Sequence, residues 1–310
     1  MFELPEHTKN MMMAVGVVLV LATTMRLILR WKNPDKNYDN LRQRIQSWWW
    51  MIGLLFGALY LGPKVTICFF AFLSFLALKE FLSITPTRQV DRNVIFWLYL
   101  AIPLQYFWVA QSWYGMAIIF IPVYVFLFIP IRMVMIGKTD GFIRSAGLLH
   151  WAVMLTVFCI SHLAYLMVLP VKNELAGPAG LILFILFMTQ FNDVSQFIWG
   201  KTLGKHKIIP KVSPNKTWEG FIGGVVTITV IAGFLGPYLA PLNQHQGFMA
   251  GAIISIGGFF GDVVISSVKR DLNIKDTGSM IPGHGGLLDR MDSLIYTAPL
   301  FFHFIYYLYF

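Results

Sequence analysis

The chain has 310 residues, of which 57% are hydrophobic, 16% aromatic and only 13% charged. Soluble domains carry about 25% charged residues, so this composition excludes a water-coated globule and makes lipid the solvent for most of the surface. The formal net charge of +9 has to be sorted by side of the bilayer before a partner is inferred, and no nucleic-acid partner is expected. Cys68 and Cys159 each lie in an apolar run and support neither a disulfide framework nor a zinc site.

A bilayer core of about 30 Å needs roughly 20 apolar residues per helix. The first ten residues carry Glu3 and Glu6 rather than a basic flank, and no small-residue cleavage site follows the next apolar run. Residues 11–29 are therefore read as a retained span rather than a cleaved signal. Further spans are predicted at 48–61, 65–83, 94–111, 116–136, 146–169, 179–199, 220–239, 247–268 and 294–310. The second is short enough to be re-entrant or to merge with its neighbour. Pro103, Pro122 and Pro130 are candidate kinks.

Basic residues test this map. One parity of loops holds Arg30, Lys32, Lys36, Arg42 and Arg44, then Arg88 and Arg92, then Arg132, Lys138 and Arg144. The same parity continues with Lys201, Lys205, Lys207, Lys211 and Lys216, and ends with Lys269, Arg270, Lys275 and Arg290. The opposite loops hold only Lys9, Lys64 and Lys172. The positive-inside rule then puts the basic loops in the cytoplasm and both termini outside. The expected fold is an all-α integral membrane bundle of nine to ten transmembrane helices with a cytoplasm-facing polar cavity in its C-terminal half. Residues 1–176 form the N-terminal helices, and 177–310 the catalytic region with loops 200–219 and 269–293.

Two polar segments carry candidate chemistry. The run from Asn192 to Thr217 strings five lysines with Gly200, Gly204, Ser213 and Thr217. It is not a P-loop, because G-x-x-x-x-G-K-[ST] does not occur, but it offers cations and hydroxyls to a polyphosphate or a lipid phosphate. The run from Gly261 to Asp292 places Asp262 late in an apolar span, where a carboxylate is costly and normally paired or functional. Asp289 and Asp292 are three apart and share a helical face, while Arg290 points elsewhere. The Pro282-Gly283-His284-Gly285-Gly286 run permits a tight turn. A helix starting near Leu287 would aim free N–H groups at an anion, and Asp289 in its first turn could pair with a cation instead. Hard oxygen ligands, glycines and clustered Lys and Arg suit Mg²⁺-dependent phosphate chemistry, with Asp262 and Asp289 as metal ligands. His284 has no partner at zinc-ligand spacing, and Ser266 and Ser267 have no G-x-S-x-G context.

The segment from Ser266 to Asp292 reads SSVKRDLNIKDTGSMIPGHGGLLDRMD. It resembles the signature of the phosphatidate cytidylyltransferases, also called CDP-diacylglycerol synthases: S-x-apolar-K-R, four residues, K-D, then P-x-H-G-G and D-R-x-D. The stretch KVSPNKTWEGFIGG is similar to that family too, and the resemblance covers roughly Asn192 to the C-terminus. It implies transfer of CMP from CTP to phosphatidate, giving CDP-diacylglycerol and pyrophosphate, with Mg²⁺ and a second monovalent cation such as K⁺. It implies a metal centre at Asp262 and Asp289 and catalytic roles for Lys275, Asp276 and Arg290. Substrate binding would fall to Asp193, Lys211, Ser213, Lys216, Ser266, Lys269, Arg270, His284, Gly285, Gly286 and Asp292. It also implies a homodimer in a bacterial cytoplasmic membrane. The chain departs from the family pattern at two places. Asn192-Asp193-Val194-Ser195-Gln196-Phe197 stands where many members have G-x-D-S-x-A-Y, and Ile265 stands where many have Glu. These departures motivate two alternatives, a transferase of other nucleotide or lipid specificity and a catalytically silent paralogue. A transporter is the least supported reading, because the acidic residues cluster at one face.

Overall fold

The computed structural model describes residues 3–35 and 37–310; Lys36 of the first basic loop lies outside the described residues. Among them are ten long helices and no strand. They are α1 (Glu6–Lys32), α2 (Asp39–Leu61), α3 (Pro63–Ile84), α4 (Arg92–Ala110) and α5 (Tyr114–Val134). Then come α6 (Phe142–Leu166), α7 (Gly177–Leu203), α8 (Trp218–Leu239), α9 (Gln244–Asp271) and α10 (Leu288–Tyr309). Eight of these are long and apolar enough to cross a membrane; α2 and α10 are not counted among the eight. Both carry charge at their first turns, Asp39, Arg42 and Arg44 on α2 and Asp289, Arg290 and Asp292 on α10. The helix expected at 48–61 thus begins nine residues earlier, as a full helix rather than a short or re-entrant piece.

Local chemistry sets the boundaries. Gly62, at φ 98°, makes the sharp joint between α2 and α3, and Pro63 opens α3 at the position where its missing N–H costs nothing. Asn243 and Gln246 form a reciprocal capping box at the start of α9. Thr217 caps α8 by accepting the Gly220 N–H at 3.2 Å. Pro122 does not break α5: the helix widens to π geometry over Phe120–Val125, which accommodates the lost donor. α6 has a similar π turn over Met154–Phe158 without a proline.

A continuous buried core runs through both halves, from Leu59 and Phe70 to Phe184, Ile254 and Phe301. Helices α7 to α10 pack against one another most extensively, and glycine makes the approach possible. A Cβ at Gly251 would lie 2.8 Å from the Ile228 carbonyl of α8, and one at Gly261 would lie 2.5 Å from the Asp292 carbonyl of α10. The short joint at Gly62 makes α2 and α3 antiparallel neighbours. Their site-side ends meet the loop before α10, where Ser47 Oγ donates to the Pro282 carbonyl at 2.7 Å. The start of α2, the end of α3, the ends of α7 and α9, and the starts of α8 and α10 therefore gather at one end of the bundle.

Candidate active site

Five carboxylates, Asp193, Asp262, Asp289, Asp292 and Glu80, gather at that end with Lys216, Lys269 and Arg290 among the cations. Asp262, one turn from Ser266 on α9, pairs with Lys216 at 2.6 Å and accepts the Ser266 hydroxyl at 3.2 Å. Lys216 also donates to Gln196 Oε1 at 3.1 Å. Burial disfavours the Lys216 charge, yet the Asp262 and Asp193 carboxylates outweigh it and hold the ammonium pKa above the ordinary lysine value. Asp193 on α7 meets the Ser293 hydroxyl at 3.2 Å and feels the charges of Lys216, Asp262 and Arg290. Asp292 feels Asp262, Asp193 and Lys269. Three carboxylates from three helices thus converge beside Lys216.

Asp289 stands apart from this trio. One oxygen pairs with Lys269 at 2.8 Å; the other accepts the N–H groups of Thr277 and Gly286 at 2.8 and 2.9 Å. Asp262 and Asp289, the expected metal ligands, have different neighbours in this structure: Asp262 groups with Asp193 and Asp292, while Asp289 accepts from Lys269 and from the loop that precedes its helix. The expected anion site at the start of α10 is filled as well. Glu80 of α3, only 7% exposed, accepts the N–H groups of Leu287 and Leu288 at 2.8 and 2.9 Å. It also takes the Thr277 hydroxyl at 2.5 Å. The single hydroxyl proton serves this shorter contact, since Asp289 is already satisfied by two backbone donors and a lysine. Glu80 is therefore a helix cap supplied by another helix, favoured by the positive end of the α10 dipole.

Arg270 braces the 204–217 loop by donating to the Val212 carbonyl at 3.1 Å and to Ile274 at 3.4 Å. That loop is shaped rather than slack: Lys207 and Thr217 pair as an antiparallel bridge, and Glu219 holds the backbone of Lys205 and His206. Lys211, Ser213, Lys275 and Asp276 make no side-chain hydrogen bond or ion pair among the described residues, and all but the half-buried Ser213 are exposed. Gly285, at φ 82°, closes the turn begun by Ile281, whose N–H reaches the Gly285 carbonyl at 2.9 Å. A Cβ on Gly286 would collide with Glu80 and Thr277. His284 lies edge-on to Trp48. Burial, then Arg290 and Arg44, push its pKa below the ordinary histidine value.

The donor set suits a hard divalent cation. Asp193 receives only a serine hydroxyl, and Asp292 only the Ser293 N–H, so carboxylate lone pairs remain open. Among the described residues no group of three or more acidic, His or Cys side chains is arranged to hold a metal unaided. Magnesium does not require such a group, because it takes one or two carboxylates and completes its shell with waters and substrate phosphates.

Sequence reasoning missed Glu80, Thr277, Gln196 and Ser293. Glu80 carries the same signal that singled out Asp262, a carboxylate near the end of an apolar span. The departure at Asn192–Phe197 also acquires a structure. Asn192 accepts from Gln196 and Ser255 at 3.1 and 2.6 Å, and Gln196 in turn holds Lys216. Ile265 is 2% exposed and packs in the core.

The chain is 43% identical over 291 residues to the uncharacterized protein YnbB of Escherichia coli (strain K12), covering 94% of this chain and 95% of that one. It is 36% identical over 155 residues to a phosphatidate cytidylyltransferase of Staphylococcus aureus (strain COL), covering 49% of this chain and 59% of that protein. A phosphatidate cytidylyltransferase of Mycobacterium leprae (strain TN) is 38% identical over 120 residues, 39% of this chain and 38% of the relative. The cytidylyltransferase family matches residues 42–308, and the chain belongs to that family.

Proposed function

We propose that this chain transfers CMP from CTP to phosphatidate, with Mg²⁺, at the cytoplasmic face of a bacterial membrane. The observation that carries the reading is the convergence of Asp193, Asp262 and Asp292 around Lys216, beside the folded Ser266–Asp292 segment. The relatives named phosphatidate cytidylyltransferase support the choice of substrates.

The phosphatidate phosphomonoester is already anionic at neutral pH, with a second pKa near about 6 by analogy with phosphoserine, so no strong base is needed. One of its oxygens attacks the α-phosphorus of CTP; the new P–O bond forms as the α–β bridge breaks, and pyrophosphate leaves with the electron pair. The obstacle is the meeting of two polyanions. Lys216, held upright by Gln196 and Asp262, faces the reacting phosphates. The exposed Lys211 and Lys275 are available to the CTP tail. Arg290 lies between the acid cluster and the lipid-facing side, where it orients the lipid phosphate. The open carboxylate oxygens of Asp193 and Asp292 would hold a magnesium ion, which would neutralise phosphate charge; a monovalent cation and a homodimeric assembly belong to the same proposal.

The test is direct. Purified protein is incubated with α-labelled CTP, phosphatidate and Mg²⁺, and the lipid fraction is counted. Labelled CDP-lipid is the expected product. Label transferred only from another nucleotide would move the specificity, and no product with any nucleotide would make the chain a silent paralogue.

A further inference from the structure

An elongated apolar cavity of about 270 Å³ runs away from the site, between α2, α3, α7 and α10, with Met11 and Val15 of α1 along one side. Its lining extends from Trp48 to Phe56 on α2, from Gln190 back to Leu183 on α7 and from Leu287 to Leu294 on α10. At 1.5 Å per residue the cavity is roughly 10–12 Å deep along the helices. Among the described residues its lining is apolar apart from Gln190, Arg290 and the Trp48 indole. Gln190 lies one turn from Asp193 on α7 and Arg290 acts on the Asp193 charge, so the polar end of the cavity lies near the acid cluster. Arg290 has its Nε buried without a hydrogen-bond partner, and the neighbouring His284 Nδ1 is in the same state. Arg44 adds a second positive charge beside them. On the wall, Leu54 is 60% exposed, so the cavity opens sideways to the apolar surroundings of the bundle rather than to water.

We propose that this cavity is an acyl-chain slot for an anionic lipid whose phosphate rests on Arg290. The claim builds on the cytidylyl-transfer reading and adds what that reading lacks, a place for the hydrocarbon. The half-buried Arg290 has an Nε that no protein acceptor meets, and its planar fork matches phosphate oxygens. An apolar slot leading off that anion site selects an amphiphile over a free phosphate. A second protein helix would bring no charge for Arg290. The slot does not add affinity through the hydrophobic effect, because the chain leaves one hydrocarbon medium for another. It works by register: a chain seated between α2 and α7 fixes how far the phosphate projects toward Asp193 and Asp262. The selectivity therefore appears in kcat/KM between lipids of different chain length.

The experiment uses the full chain in phosphatidylcholine vesicles. Phosphatidate carrying a diazirine at the end of one acyl chain is photolysed, and the adducts are mapped by peptide mass spectrometry. Adducts are expected within 183–190 and 48–56. A phosphatidylcholine bearing the same tail is expected to give at least fivefold fewer there, because it lacks the exposed phosphomonoester. Leu186→Trp, which fills the slot, is expected to reduce the adducts at least fivefold and to lower the dioleoyl-to-dihexanoyl ratio of kcat/KM about tenfold. Leu186→Phe serves if the tryptophan variant does not fold. Adducts spread over the outer faces of α1 and α8, or equal slowing of both substrates, would overturn the slot. Adducts in the slot without CDP-lipid formation would overturn the cytidylyl-transfer reading and leave the slot standing. CDP-lipid formation without slot adducts would do the reverse.

Discussion

Replacing Glu80 tests whether a residue of the N-terminal half builds the site. In Glu80→Ala the Leu287 and Leu288 N–H groups and the Thr277 hydroxyl lose their acceptor inside a site where Glu80 is 7% exposed. Each stranded buried donor costs about 1–3 kcal/mol, and the three are not additive, so the loss is roughly 3–5 kcal/mol. Glu80→Gln keeps one acceptor oxygen but turns an NH₂ group toward a backbone donor, and its loss is about 1–2 kcal/mol. The assay is thermal unfolding of the purified protein in detergent, followed by CTP-dependent turnover of the folded fraction. Stability is expected to fall in the order wild type, Gln, Ala, with turnover falling in parallel because Asp289 and Thr277 lose their fixed positions. A double-mutant cycle with Thr277→Val is expected to show coupling of about 1 kcal/mol or more. Wild-type melting and turnover in Glu80→Ala would refute the clamp.

Other outcomes follow from the same geometry. Lys216→Ala removes the cation that pairs with Asp262 and sits beside Asp193 and Asp292, and turnover is expected to drop by about 100-fold or more in the labelled-CTP assay. Gly286→Ala drives a methyl group into Glu80 and Thr277, so expression of folded protein is expected to collapse, as judged by size-exclusion chromatography. His284 has a depressed pKa in the folded chain, so its neutral form is favoured there. Its contribution to stability is complete above the ordinary histidine value and is lost as pH falls through the lower folded value. Melting curves from pH 7 to pH 5 are expected to show an acid loss that is smaller in His284→Gln.

Much of the fold was legible because lipid imposes a simple rule: apolar runs of helical length, separated by polar joints. The ten predicted segments all coincide with observed helices. α2 reaches back to Asp39 because its first turns leave the apolar zone while remaining helical, and hydropathy has no signal for that extension. The site was legible in residue types and less so in pairings. Spacing placed Asp289 and Asp292 on one face, but a single helical turn separates two environments, Lys269 and Thr277 above and Asp193 below. Glu80 was missed because its partners lie far along the chain. Ile265, read as a change near the site, is buried in the core, where a carboxylate is costly unless paired.

The Glu80 cap also orders events in time. Its acceptors meet the Leu288 N–H across 208 residues of chain. At about 5–20 residues per second, synthesis leaves that carboxylate waiting roughly 10–40 s for its partners. During this interval the Glu80 carboxylate lacks the three donors it holds in the finished fold. The arrival of α10 supplies those donors, so the end of α3 and the start of α10 settle together.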